Sequence, residues 1–241
     1  MPQIINTNIA SMNAQRNLNA SQAALQVSLT RLSSGLRINT SKDDAAGLAV
    51  ASRMETQSRG MSVAMRNASD GLSLAQTAEG GLQLVTQHLQ RMRELAVQSA
   101  NGIYTSADRS LLNAEFTQLA SEVSRVIQST DFNGKKVLNG SAAGIVFQIG
   151  ANGTSTDRIT VDISNLLGVT GLNTVSALSI GGASAGDGSL SAMSVIANAL
   201  SQVNRIRANL GAVQSRFDGI VSLLQTSKEN TEAARSRIMD A

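Results

Sequence analysis

Residues 75 to 96 read AQTAEGGLQLVTQHLQRMRELA. Within this stretch Ala75, Ala78, Leu82, Val85, Leu89, Met92 and Ala96 fall alternately three and four residues apart, the a and d seam of a coiled coil. A helix with this spacing carries an apolar ridge along one side, which is stable in water only when other helices lie against it.

Working outward, the pattern breaks at Asn101 and Gly102, and Ser106 with Asp108 reads as a fresh helix start. A second seam follows at Leu112, Phe116, Leu119, Val123 and Val126, ending at Asp131-Phe132-Asn133-Gly134, where Asn-Gly signals a turn. The C-terminal part carries the longest series: Met193, Ile196, Leu200, Val203, Ile206, Leu210, Val213, Phe217, Ile220 and Leu224. One three-three step at Val203 reads there as a local shift of phase. A helix of about 45 residues would be about 65 Å long. Between the helical parts, Ile145 to Gly150 and Arg158 to Ile163 are β-rich, and Ala151 to Thr154 reads as the turn of a hairpin. Gly181 to Gly188 is a Gly/Ser/Ala loop. The expected fold is mainly α, with long antiparallel helices in a rod-like coiled-coil bundle and a small β-hairpin region.

Leu18, Leu25, Leu29, Leu32 and Leu36 form a further stripe at near-helical spacing. Each leucine contributes about 1.5 to 3 kcal/mol only when it is covered. This arm therefore needs a partner helix, from its own chain or from another subunit, and these leucines are the candidate self-assembly residues.

Composition agrees with long helices and excludes several functions. Of the 241 residues, 42% are hydrophobic but only 2% aromatic, and the one proline is Pro2. An interior proline would cost a helix about 3 kcal/mol. The net charge of +3 comes from 20 basic and 17 acidic residues with no dense basic block, so no nucleic acid is expected as a partner. No apolar run reaches the length of a membrane-spanning helix, so no membrane span is expected. The N-terminus has neither the basic nor the apolar region of a secretory signal. Without cysteine there is no disulfide framework, thiolate catalysis or cysteine-based metal site.

Three motifs carry a chemical reading weaker than the plain one. Gly182-Ala183-Ser184-Ala185-Gly186 matches a nucleophile elbow, but the single histidine, His88, precedes it and sits on a helix. A flexible loop is the better reading. His88, alone, anchors no zinc site and reads as a helix-surface residue. Asp43-Asp44 reads as a helix start, with Ser41 as N-cap and Asp44 at the third helical position. Asn152-Gly153-Thr154 also fits an N-glycosylation sequon, a frequent and weak match. No cofactor, metal site or enzymatic activity is expected.

Several blocks together resemble one family. Asn6 to Ile9, Gln15, Asn17-Leu18, Leu32 to Asn39 and Asp43 to Ala49 look like the N-terminal signature of bacterial flagellins, and the match continues through Gln90 to Gln98 and Phe132 to Leu138. It resumes at Ile206 to Gln214 and Ala234 to Ile238. The resemblance implies residues 1–42 as a filament-core helix and spoke, 43–140 as the N-terminal part of a rod domain, 141–190 as its β-hairpin and loop region, and 191–241 as its C-terminal helix.

It also implies a subunit of the extracellular flagellar filament, secreted through the flagellar export machinery with its chaperone. A host Toll-like receptor is a further implied partner, reading Gln90, Arg91, Leu95 and Glu115. Since Leu89, Met92 and Ala96 occupy the seam, Arg91 and Leu95 flank it and are expected to be exposed.

Two departures stand out. About fifty residues separate the helical parts where flagellins usually carry a large variable domain, and the sequence stops at Asp240-Ala241, where family members continue into another inner helix. The N-terminal arm is therefore expected to fray in the monomer. A hook-filament junction protein and a non-polymerising, receptor-binding flagellin fragment are the alternative readings.

Overall fold

A computed structural model describes residues 7–163, 165–168, 172–184, 186 and 188–241. Asn6 of the signature and Ala185 of the Gly-x-Ser-x-Gly stretch lie outside them. The main elements are α1 (Ile9–Ser34), α2 (Ala45–Ser99), α3 (Ser106–Ser129), β1 (Asp131–Phe132), β2 (Lys135–Lys136), β3 (Ile145–Gln148), β4 (Arg158–Val161), α4 (Leu172–Val175) and α5 (Ser189–Met239). The chain divides into two units, one of Met1–Ser62 with Gln225–Ala241 and one of Val63–Leu224.

In the larger unit the seam of α2 is longer than residues 75 to 96. Ala68, Gly71, Ala75, Ala78, Leu82, Val85, Leu89, Met92, Ala96 and Ser99 keep the three-four spacing without a break, and all are buried. A third column at heptad spacing, Leu74, Gly81 and Leu95, is buried as well, with the half-buried His88 at the position between the last two. Two neighbours explain the extra width. On one side a Cβ at Gly71 would meet the Phe217 ring of α5 at 2.6 Å, and on the other a Cβ at Gly81 would meet Leu138 and Thr130, just past α3, at 2.9 Å. A helix flanked on two sides buries a broader stripe than a two-stranded coil does.

The same geometry revises the α5 series. Its seam runs Ala192, Ile196, Ala199, Val203, Ile206, Leu210, Val213, Phe217, Ile220 and Leu224 with regular four-three steps. The expected phase shift at Val203 does not exist. It came from counting the bulky Met193 and Leu200, which are only partly buried, in place of Ala192 and Ala199, which are fully buried. Small side chains hold those seam positions. Phe217 meets Phe147 of β3 edge to face, with centroids 5.6 Å apart and ring planes at 83°. Asn67 Nδ2 donates to the Gln148 carbonyl at 2.9 Å, tying the same strand to α2.

α3 begins at Ser106, the expected helix start, with Thr105 as its N-cap. The Thr105 hydroxyl accepts from the Asp108 N–H, while the Asp108 carboxylate accepts from the Thr105 N–H at 2.9 Å. This is a reciprocal capping box. The hydroxyl and N–H of Thr105 hold the Asp108 carboxyl below the usual carboxylate range. Because the folded pKa lies below the unfolded one, the stabilisation is complete above the unfolded value and is lost as pH falls through the folded one. Thr105→Ala should therefore move the Asp108 titration, followed by NMR, upward towards an ordinary carboxylate.

After α3, β1 pairs antiparallel with β2 across Asn133 (φ 50°) and Gly134 (φ 75°), the two-residue turn that Asn-Gly predicts. β3 pairs antiparallel with β4 from Ile145 opposite Val161 to Gln148 opposite Arg158. Residues 151 to 154 are not a tight turn, however. They lie in a longer connection that contains a 3-10 turn at Ser155–Asp157 and is closed by the Ile149 N–H donating to the Asp157 carbonyl at 2.7 Å.

The smaller unit contains α1, the start of α2 and the end of α5. Gly35 at φ 69° caps α1, donating its N–H to the Arg31 carbonyl. The chain then pairs with the end of α5: Leu36 bridges Asp240, and Arg37 donates its N–H to the Met239 carbonyl at 2.7 Å and its guanidinium to Ile238 at 2.6 Å. The expected N-cap at Ser41 is replaced by one at Asp44. Its Oδ1 accepts from the Gly47 N–H at 2.8 Å, and α2 begins at Ala45. Asp43 instead accepts from the Thr40 and Asn39 N–H groups, which hold its carboxyl below the usual range. A Cβ at Gly47 would meet Asp44 and the buried Ile38, so glycine here admits both the cap and the core. Further along, the buried Ser58 hydroxyl donates to Glu232, and Arg235 contacts both Glu232 and Glu55 at 3.3 Å.

Candidate functional site

Two surfaces bear on function, one in each unit. In the smaller unit, α1 is a helix of 26 residues with none buried. Leu18, Leu25, Leu29 and Leu32 are 59%, 60%, 56% and 82% exposed, joined by Ile9, Met12 and Val27. The ends of the helix are well formed: Asn8 Oδ1 accepts from the Ser11 N–H at 3.0 Å, and Gly35 closes the other end. Caps do not hold such a helix by themselves, since isolated helices are marginal and most helical stability comes from burying a face. Covering four leucines would contribute about 6 to 12 kcal/mol before ordering costs.

Leu36 does not belong to this ridge. The helix ends at Ser34, the chain turns at Gly35, and Leu36 is half-buried in its bridge to Asp240. The near-helical spacing of the five leucines therefore overstates the stripe by one.

In the larger unit, α2 and α3 present a polar cluster. Arg91 Nε donates to Glu115 Oε1 at 2.8 Å and Nη1 to Glu94 Oε2 at 3.0 Å, with all three side chains substantially exposed. The two carboxylates, Glu115 foremost, raise the Arg91 pKa, so the guanidinium remains charged. Ion pairs this exposed add little to stability. The cluster is therefore better understood as an oriented guanidinium than as a stability device. Gln90 is exposed beside it, and a shallow groove next to it is lined by Gln90, Arg93, Glu94, Val97, Gln98 and Leu200.

Leu95 departs from expectation. It is fully buried in the third column of α2, so its side chain is absent from the surface that carries Gln90, Arg91 and Glu115. A two-column heptad assignment marks residue 95 as flanking; burial between neighbours on both sides of α2 takes it inside.

Sequence reasoning missed Arg109. Buried to 5% exposure, it donates to the carbonyls of Tyr104 (2.7 Å), Gly182 (3.0 Å) and Ala183 (2.8 Å). Nearby, Ser99 Oγ donates to the Ile180 carbonyl, and Asn113 Oδ1 accepts from the Ile180 N–H at 2.8 Å. The start of the Gly182 stretch is thus fastened to α2 and α3. Arg109 lies one heptad before Phe116 and two before Val123, and a charged residue in a seam column is the signal that marks it. His88 is half-buried on α2. Among the described residues no three His, Cys, Asp or Glu side chains gather as a metal site, and no helix is long and apolar enough to cross a membrane.

Comparison with known proteins converges on one family. The bacterial flagellin N-terminal helical region matches residues 5–143 and the bacterial flagellin C-terminal helical region residues 193–241. A flagellar filament core protein of Brachyspira hyodysenteriae is 42% identical over 98% of this chain and 86% of its own length. A flagellin of Halalkalibacterium halodurans is likewise 42% identical, over 98% of this chain and 85% of its own. The crystal structure of Bacillus cereus flagellin superposes with a TM-score of 0.57 at 25% identity, covering 70% of this chain and 94% of that one. With both flagellin helical regions matched and relatives 42% identical over 98% of its length, the chain belongs to the bacterial flagellins.

Proposed function

We propose that this flagellin is a structural subunit of the extracellular flagellar filament and self-associates by covering the α1 ridge with helices of neighbouring subunits. Flagellins are structural proteins, not enzymes. The observation that carries the reading is α1 itself: a capped helix of 26 residues, none buried, with an apolar ridge along its length. Filaments seen by negative-stain microscopy after seeding are the expected result, and persistent monomers at every seed concentration would overturn it.

The proposed route outward is secretion through the flagellar export machinery with its chaperone, a reading that rests on the signature blocks from Asn8 to Ala49.

A host Toll-like receptor is the second proposed partner, reading Gln90, Arg91 and Glu115. What supports this is an exposed arginine held in a fixed pose by Glu115 and Glu94, the kind of residue that dominates interface energetics. Arg91→Ala should weaken receptor signalling by about tenfold or more while leaving the thermal transition in place. Undiminished signalling would remove the assignment. Leu95, being buried, would act on such a surface only through the fold.

A further inference from the structure

The sequence contains four Asn-Gly steps: 101–102, 133–134, 139–140 and 152–153. In unstructured peptides all are prone to the same reaction. The glycine amide nitrogen attacks the asparagine Cγ, ammonia leaves, and water opens the resulting succinimide at either carbonyl to give aspartate or isoaspartate. The reaction needs no co-reactant but water, and it requires the carboxamide to swing over the following peptide bond.

The fold treats the four steps differently. Asn101 Oδ1 accepts from the Ile103 N–H at 3.2 Å, and Asn139 Oδ1 accepts from the Ser141 N–H at 3.0 Å, so both carboxamides are held forward in turns. Asn133 is exposed and its carboxamide makes no hydrogen bond among the described residues, but it sits at φ 50° in the two-residue turn between the paired strands β1 and β2, which holds the following peptide bond in place. The fourth carboxamide, that of Asn152, makes no hydrogen bond among the described residues, and the stretch from Ala151 to Thr156 is exposed throughout. Its surroundings are pinned on both sides. Gln148 Nε2 donates to the Asn152 carbonyl at 2.7 Å, and Thr154 Oγ1 donates to Asp157 at 2.8 Å. Only the side chain and the next peptide bond are left free to move, and Gly153 has open space around it.

We infer that Asn152 is the chain's spontaneous deamidation site, converting to aspartate and isoaspartate through a succinimide with Gly153. The product adds a negative charge to the β3–β4 connection, and its isoaspartate form adds a methylene to the backbone there. It also removes the carboxamide that an N-linked sugar at the sequon would need.

The test is to age the folded full-length chain in mildly alkaline buffer and follow all four sites by peptide mass mapping. Asn152 should convert first, about five- to tenfold faster than each of the other three, because one hydrogen bond or locked turn shields each of those. The same chain aged in denaturant should lose this ranking. Gly153→Ala places a methyl group beside the attacking nitrogen without meeting any neighbour, and should slow conversion at Asn152 with an unchanged melting curve. Equal rates at the four sites in the folded chain, another site leading, or the same ranking in denaturant would each overturn the inference.

Discussion

Phe217→Ala should lower the unfolding free energy of the larger unit by about 3 to 5 kcal/mol, among the largest costs available to a single core truncation. The ring is fully buried, stands edge to face against Phe147, and fills the space that α2 leaves at Gly71. Removing it opens a cavity between elements that α2 and the β3–β4 hairpin hold in place, so little collapse can compensate. The converse change is informative too. Gly71→Ala pushes a methyl group to 2.6 Å from the ring and should cost about 1 to 3 kcal/mol by overpacking. That penalty should vanish in the Phe217→Ala background, because the two positions share one contact. Urea denaturation of the two single variants and the double variant measures all three. Additive effects would mean that Gly71 is not shaped around Phe217.

Combined Leu25→Gln, Leu29→Gln and Leu32→Gln should leave the monomer unfolding transition almost where it was and prevent filament growth. All three leucines are more than half exposed, and glutamine retains good helix propensity, so the monomer loses little. Assembly stands to lose about 4.5 to 9 kcal/mol of apolar cover, which corresponds to a rise of about a thousandfold or more in the subunit concentration needed for growth. Sedimentation of seeded samples reads that concentration directly. Leu36→Gln is the contrast: Leu36 lies beyond the helix against Asp240, so its substitution should act mainly on the monomer.

These predictions draw on a fold that was largely legible in the sequence, because a seam with three-four spacing has one physical meaning. The seam of residues 75 to 96 and the Asn133-Gly134 turn are read directly from the sequence, and both β-rich runs begin where β3 and β4 begin, although the connection between them is longer than a turn at residues 151 to 154. The errors share a cause. A hydrophobic pattern favours the larger Met193 and Leu200 over Ala192 and Ala199, whereas close helix approach favours small side chains. A heptad read in isolation has two columns and places Leu95 at the surface, while α2 is flanked by neighbours on two sides. Ser41 and Asp44 both have capping side chains, and only the backbone path from Asn39 to Asp44 decides between them. Arg109 escapes the pattern because a charge in a seam interrupts the apolar spacing that marks one. Its three carbonyl partners come from segments up to 74 positions away, which no local window holds.

Amide hydrogen exchange along Asn8 to Ser34, compared between monomer and seeded filament, is the most direct test of whether α1 exists to be covered. A helix that buries nothing should exchange within the range of local opening in the monomer, and become protected to the level of the α2 seam once assembled. Slow exchange already present in the monomer, or no gain in protection on assembly, would contradict the account.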